Sequence, residues 1–166
     1  MTSSRIALLA SIAIVVVAVS GCSTKAARFY TLDSTATSNG APAVPLAVMV
    51  GPVSVPASVD QPDFVVQVAS NRVELDEFNR WAAPLGDSIA HAVAGDLVVL
   101  LGTPDVATSP MANFVPAYSV TINVQRFEST RNQGVLLDAV WAVHPSLGGS
   151  TRSGRTVAPH AAPRSP

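Results

Sequence analysis

The apolar residues of this chain change their spacing once, and that change limits the folds that the chain can adopt. Between Pro84 and Leu101 they recur every three or four positions, as they do on one side of an amphipathic helix. This apolar set is Leu85, Ile89, Ala92, Val93, Leu97, Leu100 and Leu101. Proline suits the first turn of a helix and glycine suits its end, so Pro84 and Gly102 delimit the predicted helix.

Stretches with strand character lie on both sides of this helix. Those before it are LAVMVGPVSVP, DFVVQVAS and NRVELDEF, with a bend or bulge predicted at Gly51-Pro52. After it, apolar and polar side chains alternate from Tyr118 to Gln125, and a turn ending at Gly134 leads into VLLDAVWAV, which predicts a hairpin. We therefore expect an α/β (or α+β) fold, a single layered domain in which the helix covers a mixed sheet.

Length and charge restrict the classes of function. The chain has 166 residues, which suit one domain, and its formal net charge is -1. A nearly neutral chain has no basic surface field for a phosphate backbone. We therefore expect no nucleic-acid partner.

The only cysteine, Cys22, follows an apolar stretch from Ile6 to Val19 that has Arg5 in front of it. This order of charge, apolar run and small residues is typical of a secretory signal, and the run is shorter than the roughly 20 residues of a membrane-spanning helix. The residues VSGC also resemble the bacterial lipobox, whose cysteine receives diacylglycerol. We predict a signal peptide over residues 1–21 and lipidation at Cys22; the alternative is an ordinary secretory signal followed by an unmodified cysteine.

The rest of the chain divides into three parts. Residues 22–45 are rich in small, polar and proline residues, so we expect the lipidated cysteine and a tether, with a short strand near residues 28–33. Residues 46–143 carry the predicted strands and the helix. Residues 144–166 have no apolar periodicity and are rich in proline, serine and arginine, so we expect disorder there.

The residues that could carry chemistry form no catalytic or metal-binding pattern. Glu74, Asp76 and Glu77 are interpreted as a solvated strand edge rather than an acid/base pair, because Glu77 falls on the other side of a strand. His91 lies on the polar side of the helix without a second ligand nearby. We therefore expect no catalytic residues, no metal and no cofactor; an enzyme with an unrecognised site is the least favoured alternative.

One short stretch has the composition of a contact surface. Phe78, Arg80 and Trp81 precede the helix, and tryptophan and arginine are enriched at interface hot spots. We predict these three residues as partner contacts. The alternative is that Trp81 only packs the sheet against the N-terminus of the helix.

Several stretches share their order and spacing with a known family. They are VSGC, FYTLD, VGPVSVPASVDQPDFVVQ, NRWAAPL, and YSVTINVQRFES followed by GVLLDAVWAV. Together they resemble the ABC-type transport auxiliary lipoprotein family, which includes PqiC-like and YmbA-like proteins. The resemblance runs from Cys22 to about Val143, and the chain departs from it at Gln61, where arginine is more usual before proline.

The resemblance implies a non-enzymatic periplasmic subunit of an MCE-type intermembrane lipid transport system, anchored at the bacterial outer membrane through Cys22. Its partner would be an MCE-domain transport protein, and the chain would form homo-oligomers if its fold is complete. Family members usually continue with one more strand and a helix, which the residues after Val143 do not resemble. We therefore expect these elements to be missing and predict a frameshift or truncation near His144. A lipid-binding periplasmic shuttle or chaperone-like lipoprotein is the alternative function.

Overall fold

The structure is a computed structural model that describes residues 25–131 and 133–161. The predicted signal peptide over residues 1–21 and the predicted lipidation site at Cys22 lie outside the described residues. Within the described ranges the chain forms eight strands and one helix. They are β1 Arg28–Tyr30, β2 Val48–Ser54, β3 Asp63–Ala69, β4 Arg72–Trp81, α1 Leu85–Leu101, β5 Val106–Ala107, β6 Tyr118–Thr130, β7 Gly134–Pro145 and β8 Arg152–Ala161.

Strand β6 organises the sheet because it pairs with three other strands. Its first half pairs in parallel with β2, which in turn pairs with β5, and its last residues pair in parallel with β3. Its other side forms the predicted antiparallel hairpin with β7. Beyond β7 lies β8, while β4 and then β1 continue the sheet from β3. Parallel and antiparallel pairs thus share one curled sheet, which confirms the predicted mixed sheet.

The helix α1 has the predicted bounds and covers one side of the sheet. It begins after Pro84 and ends at Gly102, whose φ of 64° is the left-handed conformation that glycine adopts at little cost. Ala90 and Ala94 are buried against Val48 and Val50 of β2. These alanines were not part of the predicted apolar set. Their small side chains suit a close approach of the helix to the sheet, whereas Leu100, which was in the predicted set, is 45% exposed.

The predicted bend in β2 is present at Gly51-Pro52. The pairing of β2 with β6 changes register between Val50 and Val53, so the bend is a bulge in the parallel ladder. Gly51 has a φ of 127°, a backbone conformation that other residues rarely adopt. On the two sides of the bulge, Val50 packs in the cluster with Ala90 and Ala94, and Val53 contacts both this cluster and a second one that contains Leu85 and Ile89.

The segment between β1 and β2, predicted as part of a tether, is held against the helix in its described part. Asp96 of α1 accepts hydrogen bonds from the Ser34 hydroxyl at 2.7 Å and from the amides of Thr35 and Ala36 at 2.9 and 2.8 Å. Ten residues later the Val44 amide donates to the Leu101 carbonyl at 2.8 Å. A Cβ on Gly95 would lie 2.8 Å from the Ser34 Cβ, so glycine is needed for this close approach.

The prediction of disorder from residue 144 onward is wrong for residues 152–161, which form β8 along the outer side of β7. The strand is held by its neighbours rather than by apolar residues of its own. The Arg155 guanidinium donates to the fully buried carboxylate of Asp138 at 2.8 and 2.6 Å. The Trp141 ring lies over Gly154, where a Cβ would overlap it, and its Nε1 donates to the Thr156 hydroxyl at 3.1 Å.

Strand β8 also corrects the expectation that the family's further strand is missing. It follows the tryptophan-containing strand β7 and pairs with it from Gly134 to Val143. Within the described residues no helix follows it. Pro159 interrupts the series of amide donors of β8, as suits a strand at the edge of a sheet.

Candidate interaction surface

The three predicted contact residues lie at the end of β4, where the strand is distorted. Asp63 of β3 pairs with Arg80, whereas the next residue, Phe64, pairs with Asp76, so β4 carries extra residues at this point. The Asp76 carboxylate accepts hydrogen bonds from the amides of Phe78 and Asn79 at 3.1 and 3.2 Å. It also accepts the Asn79 side-chain amide at 2.7 Å, and this bond is the main cause that holds the pKa of Asp76 below its usual value.

Trp81 belongs to a row of four aromatic rings that connects the edge of the sheet to its core. The ring centroids of Tyr30 and Phe64 are 5.0 Å apart, those of Phe64 and Trp81 4.4 Å, and those of Trp81 and Phe127 6.0 Å. Aromatic pairs at these distances are favourable beyond their buried area. Trp81 also packs against the core cluster that contains Leu85 at the start of α1. Its geometry matches the alternative interpretation, in which it joins sheet and helix.

Arg80 is held in place by a charge on the neighbouring strand. Its Nε lies 2.7 Å from Asp63 Oδ1, although the Nε–H donates no hydrogen bond within the described residues. About two fifths of the side chain remains exposed, with 39% of its surface accessible. The guanidinium is therefore oriented by the fold and still open to a partner.

Phe78 faces away from this pair, towards the N-terminal end of the described chain. Its ring is 38% exposed, and the Lys25 ammonium lies 5.1 Å from the ring centroid, within the range of a cation–π contact. Phe78 thus contacts Lys25, the first residue that the structure describes.

Two cavities lie near this end of the sheet. One of about 300 Å³ opens at the start of α1 and is walled by Trp81, Pro84 and Gln61 among others. The Gln61 side chain donates to the Ser58 carbonyl at 3.2 Å, so the residue that departs from the family pattern stabilises its own loop. The other, of about 210 Å³, lies between Val59, Val65, Val73 and Phe127, beside the region that α1 covers.

Glu74 and His91 have structural partners. Glu74 forms ion pairs with Arg72 at 3.2 Å and with Arg131 at 3.4 Å. His91 Nδ1 is 2.7 Å from the Asp87 carbonyl oxygen. In the part of the chain that the structure describes, no group of three His, Cys, Asp or Glu side chains could hold a metal ion. Residues 25–131 and 133–161 also contain no helix that is long and apolar enough to cross a membrane.

One charged cluster was missed by the sequence analysis. Asp138 of β7 is completely buried between Arg155 of β8 and Arg126 of β6, whose Nε lies 3.4 Å from the carboxylate. The hydrogen bonds and charge of Arg155, supported by Arg126, hold the pKa of Asp138 below its usual value. The three residues come from three strands, and only the register of the sheet brings them together.

A family model described as the ABC-type transport auxiliary lipoprotein component matches residues 30–164, and the chain belongs to that family. The match continues through β8, past the position near His144 where a frameshift or truncation was predicted.

Solved structures show the same fold. The chain is similar to the crystal structure of a Xanthomonas campestris protein of the DUF330 family, with a TM-score of 0.62 and 21% identity over 80% of this chain and 78% of that one. It is also similar to the crystal structure of an uncharacterised protein, with a TM-score of 0.61 and 17% identity over 81% of each chain. No curated protein matches the sequence.

Proposed function

We propose that this chain is a non-enzymatic, lipid-anchored periplasmic subunit of an MCE-type intermembrane lipid transport system that links the periplasmic conduit to the outer membrane. The observation that carries the proposal is the family match, which covers nearly the whole described domain. The lipobox-like residues VSGC of this chain would supply an anchor at Cys22, shortly before the domain. Several acyl chains on one cysteine would hold the protein durably at a membrane surface.

Arg80 and Trp81 are the proposed contacts with an MCE-domain partner. The Arg80 guanidinium is oriented by Asp63 and remains partly exposed. Trp81 forms a wall of the 300 Å³ cavity at the start of α1, which a protruding side chain of a partner could enter. Arginine and tryptophan in such fixed positions are the residue types that dominate binding energies at protein interfaces.

Affinity isolation of the full chain from membranes tests this proposal. The wild-type chain should bring down an MCE-domain protein, and Arg80→Ala should reduce its recovery about tenfold, which corresponds to the loss of one hot-spot residue. Arg152→Ala is the matched control, because it removes an exposed arginine at the far end of the sheet. Recovery of the wild-type chain without any MCE-domain protein would count against the proposal.

A lipid-binding shuttle is the second candidate, and the apolar cavity beside Val59 and Phe127 favours it. Its volume of about 210 Å³ lies below the usual range of roughly 300 to 1,000 Å³ for ligand pockets, which is why we rank the subunit first. Native mass spectrometry of the domain without its acyl chains separates the two. A discrete oligomer supports the subunit, and a monomer with co-purified lipid supports the shuttle.

A further inference from the structure

We propose that the edge of the sheet formed by β1 and by residues 72–78 of β4, here called the anchor-side edge, lies against the surface of the lipid bilayer. The proposal rests on the proposed function in one respect, because it requires that Cys22 carries acyl chains. It adds an orientation of the domain relative to the membrane and assigns Phe78 to lipid rather than to the partner protein.

The first argument is the length of chain between the anchor and the fold. Lys25, the first described residue, lies three positions after Cys22, and β1 begins six positions after it. An extended chain spans at most about 3.6 Å per residue, so Cys22 lies within about 11 Å of Lys25 and about 22 Å of Arg28. A cysteine whose acyl chains are in the membrane therefore holds this edge close to the bilayer surface.

The second argument is that the attachment is not flexible beyond this point. Strand β1 pairs with β4 from Arg28 to Tyr30, and the Tyr30 hydroxyl donates to the Asn79 side chain at 2.9 Å. The next segment is held on the helix by Asp96. Only six positions separate Cys22 from β1, so the anchor restricts which surfaces the domain can present to the lipid.

The third argument is the composition of the anchor-side edge. It exposes Phe29 by 64%, Leu75 by 50% and Phe78 by 38%. Within the described residues, the side of β4 that faces away from β3 has a strand partner only at Asn79, Arg80 and Trp81. Apolar and aromatic side chains on a surface held near a membrane are suited to the boundary between headgroups and acyl chains.

The charges of this edge indicate which lipid surface it fits. Its positive groups are Arg28 and Arg72, and its carboxylates are Glu74, Asp76 and Glu77, so the edge has no excess of positive charge. Attraction to anionic lipid is therefore weak, and apolar insertion into a zwitterionic surface is the interaction that remains. Because the anchor raises the local concentration of lipid, even a weak interaction is enough to orient the domain.

Tryptophan quenching by brominated lipid tests the orientation in the lipidated full-length chain. The protein is reconstituted into phosphatidylcholine and phosphatidylethanolamine vesicles with and without dibrominated acyl chains. Phe29→Trp places a reporter on the anchor-side edge, and Val157→Trp places one on β8, where the native side chain is similarly exposed at 52%. The native tryptophans contribute the same background to both variants.

We expect the emission of the tryptophan at position 29 to fall about twofold in brominated vesicles, since an interfacial group lies roughly 5 to 10 Å deep in the boundary region. The tryptophan at position 157 should be unaffected. Equal quenching of both, or quenching of neither, in a chain whose mass shows acylation at Cys22 would overturn the orientation and leave the proposed anchoring intact. A chain that carries no acyl group would overturn both.

Hydrogen exchange of the wild-type chain provides the same test without a substitution. Amides of residues 72–78 should exchange more slowly on vesicles than in the chain released by proteolysis after Cys22, whereas those of β8 should not change. Protection of residues 72–78 that appears only when an MCE-domain protein is added would show that a protein covers this edge, and it would overturn the proposal.

Discussion

The two edges of the sheet are held by different kinds of interaction. The anchor-side edge has a strand of three residues, and its stability comes from the aromatic row that begins at Tyr30 and reaches Phe127. The far edge is the ten-residue strand β8, which is held by the charges of Asp138 and Arg155 and by the fit of Trp141 over Gly154. In one sheet, therefore, one edge strand is held by apolar packing and the opposite edge strand is held by a polar cluster.

This difference affects how each edge responds to change. Apolar packing is lost in proportion to the atoms removed, whereas a buried carboxylate that loses its cation is left with a large uncompensated cost. Substitutions at the two edges should therefore separate their contributions to stability.

The largest loss is expected from Trp81→Ala, in the aromatic row that supports the anchor-side edge. The substitution removes the ring that contacts both Phe64 and Phe127, and truncation of a packed aromatic residue costs about 3 kcal/mol. Urea denaturation measures the free energy of unfolding, with Phe29→Ala as the control because that side chain is 64% exposed. A loss below about 1 kcal/mol would mean that the aromatic row does not stabilise this edge.

The substitution Arg155→Ala should weaken the pairing of β8 with β7 at the far edge. Asp138 is fully buried, and Arg126 alone, at 3.4 Å, cannot replace the two short hydrogen bonds from Arg155. We expect faster hydrogen exchange throughout β8 and a smaller loss of global stability than with Trp81→Ala. Arg152→Ala, on the same strand, should leave exchange unchanged. Unchanged exchange in both variants would show that β8 does not depend on the charge cluster.

The charge cluster also predicts a pH dependence. Because Arg155 holds the pKa of Asp138 below its ordinary value of 3.8, the folded state binds this proton at lower pH than the unfolded state. The ionised carboxylate therefore stabilises the fold fully above pH 3.8, and this contribution is lost as the pH falls through the lower pKa of the folded state. The stability difference between the wild-type chain and Asp138→Asn should be constant above about pH 5 and shrink as the pH falls from about pH 4 towards about pH 2. A difference that does not vary with pH would contradict this.

A smaller effect at the far edge is expected from Gly154→Ala. The added Cβ would overlap the Trp141 ring, and overpacking of this kind costs about 1 to 2 kcal/mol. The variant Trp141→Leu removes the overlapping ring, so the double variant should lose less than the sum of the two single losses. Additive losses in this double-mutant cycle, measured by urea denaturation, would show that the two residues do not contact each other.

The smallest effect concerns the segment that connects the anchor-side edge to the helix. Ser34→Ala removes one of three hydrogen bonds to Asp96 and should cost about 1 kcal/mol. Ser150→Ala, at an exposed position, serves as the control. The two amides of Thr35 and Ala36 remain, so a loss as large as that of Trp81→Ala would mean that the segment does more than cover the helix.

Much of the fold could be predicted from the sequence because its signals are local. The helix has its boundary residues Pro84 and Gly102, and β6 has its alternating side chains, so both were placed within a few residues. The bulge in β2 was likewise marked by Gly51-Pro52. Each of these features is determined by residues that are near in sequence.

The errors have a common physical cause, which is stabilisation by distant residues. Strand β8 contains few apolar residues, and its partners Asp138 and Trp141 lie on another strand, so its composition indicated disorder. Residues 34–36 were assigned to a tether because their acceptor, Asp96, lies about 60 positions later in the chain. Neither pairing can be inferred before the register of the sheet and the position of the helix are known.

At the candidate surface, too, part of the outcome could be predicted from the sequence and part depends on distant residues. The residue types of Phe78, Arg80 and Trp81 indicate an interaction site, but only the structure shows that the three side chains have different surroundings. Trp81 lies in the aromatic row, Arg80 beside Asp63, and Phe78 beside Lys25. The distortion of β4 at Asp76 produces this separation, because it interrupts the regular alternation of sides.

For a domain anchored at Cys22 as proposed, the hydrogen bonds between Asp96 and residues 34–36 would limit its distance from the membrane. With β1 paired, the chain between Cys22 and Arg28 allows a reach of about 22 Å. Release of β1 alone would extend the free chain only to Ser34, which gives about 43 Å. In the proposed anchored protein, the pairing of β1 would set the shorter of these two distances, and the hydrogen bonds to the Asp96 carboxylate would set the longer one.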